Sequence, residues 1–101
     1  MPAVAVCGVD IISTGHPCDA TALIQGALQS KVTIGGKSVA VQGDAIQVHA
    51  ILVGDDCVPH GATIGGGSSK VFISNIPVAR VGDSADAGSI ATGSGKVSAG
   101  G

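Results

Sequence analysis

Two stretches of the chain, Ser30–Asp44 (SKVTIGGKSVAVQGD) and Ser69–Asp83 (SKVFISNIPVARVGD), align without a gap and decide the fold. They lie 39 residues apart and share Ser, Lys, Val, Ile, Val, Ala, Gly and Asp at equivalent positions. A third copy begins at Gly93 (GSGKVSAGG) and runs to the last residue, Gly101. The sequence is therefore built from two and a half related units.

Each unit predicts a β-hairpin. In the first unit, apolar residues alternate over Val32–Ile34, a turn follows at Gly35–Ser38, and the alternation resumes over Val39–Val41. In the second unit Ser74–Pro77 occupies the turn. Repeated hairpins in so short a chain predict three lobes related by a pseudo-threefold axis, with the N-terminal strand at residues 3–9 completing one of them. Such a body can sit on a true trimer.

The composition supports an all-β fold in a single domain spanning residues 1–101, with no extension domain. Among the 101 residues are 13 Val and 10 Ile but only three Leu, one Phe and no Trp, Tyr or Glu, and 17 Gly provide turns. β-Branched residues favour strands, whereas Leu and Glu favour helices. A helical bundle, a coiled coil and a disordered tail are excluded.

Charge and hydropathy limit the classes of binding partner and the cellular compartment that fit the sequence. The net charge of −2 provides no basic patch for phosphates, and one aromatic residue cannot stack bases, so nucleic-acid binding is excluded. The first cationic side chain is Lys31, so the N-terminus lacks the pattern of a signal peptide. Synthesis in the cytoplasm is expected, and its reducing conditions disfavour disulfides. The mean hydropathy of +0.51 indicates apolar surface that faces a partner.

The histidines and two of the cysteines lie outside the repeated hairpins. Cys57-x-x-His60 is a short chelating pair, and His16 and His49 would complete a zinc site with three imidazoles and one thiolate. Cys18 competes with Cys57 for the thiolate position. Four available protein ligands favour a structural zinc, because a catalytic zinc keeps one position open.

Each of these residues also has an ordinary interpretation. A single histidine on a loop is usually solvated, and Cys7, in an alternating apolar stretch, is expected to be a small buried hydrophobe. Cys18 fits buried packing as well as ligation. The Gly-Asp pairs that end in Asp44 and Asp83 are expected to be turns in which the carboxylate accepts backbone amide hydrogens.

Several segments of the chain resemble a known family, the PAAR-repeat proteins. Pro77–Arg80 (PVAR) resembles the Pro-Ala-Ala-Arg signature, and Ser38–Asp44 is a degenerate copy without Pro and Arg. Ser13–His16 is similar to the early Thr/Gly-His element of that family, and Cys57–Gly61 to its Cys-Pro-x-His-Gly stretch. Gly66–Val71 is similar to its Gly-Ser-Pro-x-Val strand entries. These elements occur in the expected order.

The resemblance implies a short β-cone that caps the trimeric β-helical spike of a contractile injection machine, either a type VI secretion system or a phage tail. It implies one tip per trimer, mechanical contact alone with the target membrane, and delivery outward as a secreted or virion component. It also implies one structural zinc per chain, held by His16, His49, Cys57 and His60. Iron in place of zinc, and Cys18 in place of Cys57, remain open.

Two other functions are compatible with the residues. One is a small zinc hydrolase with a carboxylate base, for which the candidates are Asp44, Asp55, Asp56 and Asp83. The other is a metal carrier with an exchangeable ion. The absence of an H-E-x-x-H motif and of aromatic residues that could line a pocket disfavours the enzyme.

Overall fold

The computed structural model describes residues 1–100, which form ten β-strands and no helix. The strands are β1 (Ile11–Ser13), β2 (Thr21–Leu23), β3 (Thr33–Ile34), β4 (Lys37–Ser38), β5 (Ala45–Val53), β6 (Asp56–Thr63), β7 (Phe72–Ile73), β8 (Ile76–Pro77), β9 (Ser84–Ala85) and β10 (Gly88–Ile90). The predicted all-β class is confirmed. Within the described residues, no helix could cross a bilayer.

Three equivalent hairpins, here called the base hairpins, contain the sequence repeats. Two of them are β3–β4 and β7–β8. The third is built from both ends of the chain, because residues 97–99 pair with residues 2–4. The same N–H···O=C bond occurs in each, at 2.9–3.0 Å, from Val39 to Val32, from Val78 to Val71 and from Val4 to Val97. The prediction that the N-terminal strand completes a lobe is confirmed.

The turns of the base hairpins are shorter than predicted. They contain two residues rather than four, Gly35–Gly36 in one hairpin and Ser74–Asn75 in the other. All four have positive φ, between 51° and 80°, which is the backbone of a type I′ turn. The residues predicted to complete the turns, Lys37–Ser38 and Ile76–Pro77, are the return strands β4 and β8.

Three alanines join the base hairpins at the centre of the molecule. The Ala5 N–H donates to the Ala79 carbonyl at 3.0 Å, the Ala79 N–H to the Ala40 carbonyl at 2.9 Å, and the Ala40 N–H to the Ala5 carbonyl at 2.9 Å. All three residues are fully buried. The bonds form a closed cycle around the pseudo-threefold axis, which we call the alanine ring.

A carboxylate turn follows each segment of the alanine ring. Asp10, Asp44 and Asp83 each accept a backbone N–H, from Val6, Val41 and Arg80 respectively, and all three bonds measure 2.8 Å. The turn role predicted for Asp44 and Asp83 is therefore confirmed. Asp10 is the third member, in a copy with one extra residue between its Gly and its Asp.

Three further hairpins, here called the apex hairpins, begin directly after these turns. They are β1–β2, β5–β6 and β9–β10. Strands β2, β1, β10 and β9 form one sheet, and bridges from Ile24 to Ile46 and from Ile64 to Ala85 connect it to the β5–β6 hairpin. The base and apex hairpins form the two ends of an elongated molecule measuring 41 × 23 × 22 Å.

Two clusters of small apolar residues fill the interior. The larger contains five isoleucines of the apex half, of which Ile12, Ile24 and Ile64 are at most 1% exposed. The smaller contains Val4, Val39 and other residues of the base half. Cys7 belongs to the larger cluster, as predicted, and burial together with the neighbouring Asp44 carboxylate raises the pKa of its thiol to about 12.

The carboxylate turns generate a stability prediction. The Asp44 carboxylate is fully buried and accepts the N–H groups of Val41 and Leu28 at 2.8 and 2.6 Å. Asp44→Ala leaves both amides without that partner, so the free energy of unfolding should fall by about 3 kcal/mol in urea titrations. Asp55→Ala, in the exposed β5–β6 turn, is the control and should change it by less than about 0.5 kcal/mol. Equal losses would contradict the proposed role of the turn.

Candidate metal centre

The long β5–β6 hairpin positions two histidines. His49 on β5 lies directly opposite His60 on β6. A β-bulge between Ile46 and His49 places one extra residue on β5. Residues three apart on a regular strand face opposite sides, but the bulge allows both Ile46 and His49 to be buried. The hairpin therefore presents His49 and His60 as a cross-strand pair.

The loop between β1 and β2 brings His16 to the same place. Thr14 is fully buried, and its hydroxyl donates to the Asp19 carbonyl and accepts the His16 N–H. The Asp19 carboxylate in turn accepts the Ala50 N–H of β5 at 2.7 Å. These bonds close the loop and attach it to the hairpin that carries the other two histidines.

The turn between β9 and β10 supplies a carboxylate, Asp86. Its φ of 54° lies in the left-handed region, which Asp tolerates better than most residues. Gly88 follows, and a side chain there would collide with the Ser13 backbone carbonyl. The glycine thus permits the close approach of the two strands that bring Asp86 to the β1–β2 loop.

The four side chains converge on one point. The Nε2 atoms of His16 and His49 lie 3.0 and 2.6 Å from Oδ2 of Asp86, and Nε2 of His60 lies 3.1 Å from Oδ1. One ligand atom from each of the four residues lies within 4.8 Å of the others. Each apex hairpin contributes at least one of them. We call this group the His₃Asp cluster.

Hydrogen bonding at His49 fixes the role of its two ring nitrogens. Nδ1 lies 2.8 Å from the Gln47 carbonyl, which can only accept, so Nδ1 carries a proton. In the neutral ring Nε2 then points a lone pair at the Asp86 carboxylate. A cation, either a proton or a metal ion, must lie between these two acceptors. Burial alone would lower the pKa of His49, but the bonds to Gln47 and Asp86 outweigh it and raise the pKa.

Asp86 is the common acceptor of the cluster. Burial alone would raise the pKa of its carboxyl, but the three neighbouring histidines hold the pKa below its usual value. The carboxylate is therefore ionised at neutral pH. A negative charge that is 9% exposed requires a cationic partner close by.

His16 provides the test of whether a metal ion fits. Its Nε2 is buried and has no hydrogen-bond partner, although Oδ2 of Asp86 lies 3.0 Å away, because the two groups are not aligned for such a bond. An orphaned imidazole nitrogen beside two others and a carboxylate is the donor set of a tetrahedral site. The cluster can bind a metal ion through three nitrogens and one oxygen.

The predicted thiolate lies elsewhere. Cys57 is joined to Cys18 in a disulfide, with their Cα atoms 6.0 Å apart, and is not part of the His₃Asp cluster. The expectation that disulfides are disfavoured is wrong for this pair, since the two segments that carry His16 and His60 bring both sulfurs into reach. Cys18 does not supply the thiolate either, because its sulfur is in the same disulfide.

Asp86 is not among the ligands predicted from the sequence, and the aspartates predicted as candidate bases are four others. A usable signal was present. One apex hairpin carries His16 and a second carries His49 and His60, and each begins directly after a carboxylate turn. By the same rule a third hairpin must begin after Asp83. Asp86 is the only His, Cys, Asp or Glu after Asp83 in the sequence. Counting hairpins rather than ligand types would have identified it.

A comparison with protein families supports the resemblance. The model of the PAAR motif matches residues 53–101, which include His60, Asp86 and the second base hairpin. Residues 53–101 of the chain form a PAAR motif, which supports a PAAR-repeat protein. Among curated proteins nothing matches it. The PAAR motif family is structural rather than catalytic, and its motifs bind metal, in agreement with the His₃Asp cluster of this PAAR-repeat protein.

The cluster predicts which residues hold the metal. Purified protein should contain about one metal equivalent per chain by elemental analysis, and His49→Ala or Asp86→Ala should reduce this to below about 0.2 after dialysis, because three ligands bind far more weakly than four. The double variant Cys18→Ser/Cys57→Ser is the matched control and should keep its metal. Loss of metal from the cysteine variant, with retention in Asp86→Ala, would assign the fourth ligand to a thiolate.

The cysteines predict a thiol count. Without reductant, an aromatic disulfide reagent should detect no thiol in the folded protein, because the pKa of the buried Cys7 thiol is about 12. In guanidinium the count should rise to about one, and after reduction to about three, since Cys18 and Cys57 are joined. Three thiols in the unreduced, unfolded protein would show that the disulfide does not form.

Proposed function

We propose that this PAAR-repeat protein is the metal-stabilised tip of a spike in a contractile injection machine, of the type VI secretion or phage-tail type. In this role the protein caps a trimeric β-helical spike, one tip per trimer, and helps to pierce the target envelope. It acts mechanically rather than as an enzyme. The PAAR motif itself suggests a spike-tip role.

The observation that carries the proposal is the convergence of all three apex hairpins on the His₃Asp cluster. A tip that leads a puncturing particle must resist deformation. The interior of this chain is small, because it is filled by Ile, Val and Ala, and one aromatic residue in the whole sequence adds little. A metal ion held by His16, His49, His60 and Asp86 would crosslink the three hairpins at the apex.

We propose zinc as the ion, one per chain. Three imidazoles and one carboxylate are borderline and hard donors that suit zinc, and four protein ligands complete a tetrahedral structural site. Gln47 supports this role, since its carbonyl holds the His49 ring in the tautomer that leaves Nε2 available. The Cys18–Cys57 disulfide adds a covalent link between two of the same segments.

The base hairpins, at the other end of the molecule, support the proposal of a trimeric partner. Equivalent residues of the three base hairpins surround a depression of about 380 Å³ on the pseudo-threefold axis. Its lining is mostly apolar, including Phe72, which is 51% exposed. An apolar face with threefold character fits the end of a trimer.

The disulfide bears on where the protein works. Disulfides persist in oxidising surroundings and are rare in the cytoplasm. A chain made in the cytoplasm and delivered outward would form the Cys18–Cys57 bond during or after export. Asp44 and Asp83, two of the carboxylates considered as catalytic bases, are occupied by backbone amides in the turns, which supports a non-enzymatic role.

Metal removal and spike binding test the proposal together. Stripping zinc with a chelator should lower the free energy of unfolding by about 4 kcal/mol if free zinc exceeds its Kd a thousandfold, which corresponds to a fall in Tm of about 20 °C. Scanning calorimetry before and after chelation measures this. The same protein should form a complex with the trimeric β-helical spike protein of its own organism, at one tip to three spike chains by light scattering.

Two results would contradict the proposed function. One is an unchanged Tm in protein shown by elemental analysis to have lost its metal. The other is the absence of any complex with the folded spike trimer at low ionic strength. Rapid exchange of the bound zinc with added cadmium would instead favour a metal carrier.

A further inference from the structure

Three lysines occupy equivalent positions around the base of the cone. In each base hairpin a side-chain oxygen accepts the backbone N–H of the lysine, at 2.8–3.0 Å, and the N–H of the following valine, at 2.9–3.3 Å. The acceptor, lysine and valine are Gln29, Lys31 and Val32 in one, Ser68, Lys70 and Val71 in the second, and Ser94, Lys96 and Val97 in the third. The turn is the same although Gln replaces Ser, so the backbone of each lysine is fixed in the same way.

These lysines border the apolar depression at the base. Val32, Val71 and Val97, each adjacent to one of the lysines, line the depression and are 39–43% exposed. The lysines themselves are exposed. The base therefore has an apolar centre, and each of its three hairpins carries an exposed lysine directly before a valine that lines it.

The exposed charges are divided between the two ends of the molecule. All four lysines of the sequence lie in or beside the base hairpins, and the single arginine, Arg80, is paired with Asp83. The exposed aspartates, Asp19, Asp55 and Asp56, lie in the apex hairpins. The base is consequently a positive surface on a chain whose net charge is negative.

We propose that the base docks onto a protein trimer that presents one acidic side chain per subunit, each paired with Lys31, Lys70 or Lys96. This inference rests on the proposed function and specifies the chemistry of the partner. One chain with a threefold set of charges matches three identical subunits, each offering the same carboxylate. The apolar depression accepts the centre of the trimer, and the lysines set the rotational register.

Charge reversal at the lysines tests the proposal. The probe is the trimeric β-helical spike protein of the same organism, immobilised for interferometry. Lys31→Glu, Lys70→Glu and Lys96→Glu should each weaken binding about tenfold, and the triple variant about a thousandfold, because attraction becomes repulsion at independent sites. Raising NaCl from 50 to 500 mM should weaken wild-type binding and leave little difference between the single variants and wild type.

Lys37→Glu is the matched control. Lys37 lies on β4 in the base half, and its equivalent on β8 is the apolar Ile76, so it is not part of the threefold set. Its reversal should change affinity by less than about twofold. Melting curves and metal content of all variants should match wild type, because the lysine side chains are exposed.

The remaining outcomes separate the inference from the proposed function. Wild-type binding that the triple variant retains overturns the lysine contacts but leaves the spike tip in place. No wild-type binding overturns both. Aggregation of the triple variant with unchanged affinity would mean that the lysines only protect the hairpin edges. Binding of wild type to phosphatidylglycerol vesicles, lost in the triple variant while spike binding persists, would assign the base to a membrane surface.

Discussion

The closed cycle of hydrogen bonds among Ala5, Ala40 and Ala79 is the constraint on which both ends of the molecule depend. Each alanine belongs to a segment that leaves a base hairpin, crosses the middle and enters a carboxylate turn. Because every segment donates to one neighbour and accepts from the other, none can move alone. The ring therefore transmits a single threefold arrangement to the base below it and to the apex hairpins above it.

The two ends use that arrangement differently. At the apex the three hairpins carry different side chains. One supplies His16, the next supplies His49 and His60, and the third supplies Asp86, so that together they make one site. At the base the symmetry is retained in chemistry, with a lysine and a valine repeated three times. A site for one ion needs convergence on a point, whereas the surface that we propose for three subunits needs the same group three times.

The sequence predicts the fold well because the repeats can be recognised by aligning one part of the sequence with another. The Gly-Asp pairs and the alternation around Val32 and Val71 are local signals, and they yield the base hairpins and two of the three carboxylate turns. The site is predicted in part. The three histidines stand out by their type, but the choice of Asp86 over Cys57 requires counting the hairpins that follow the carboxylate turns, because the spacing of the ligands alone does not distinguish them. The Cys18–Cys57 pairing is hidden for the same reason.

The third base hairpin has an unusual origin, because residues 2–4 find their partners at residues 97–99. Residues 2–4 therefore gain their hairpin partners later than residues 5–7, which pair with residues 38–40. Ala5 can bond to Ala40 early, but the ring closes only when Ala79 is present, and residues 2–4 stay without their hairpin partners until residues 97–99 are present. A chain shortened before Ala79 would have an open ring, whereas one lacking only residues 97–99 would keep the ring and leave the third base hairpin unpaired.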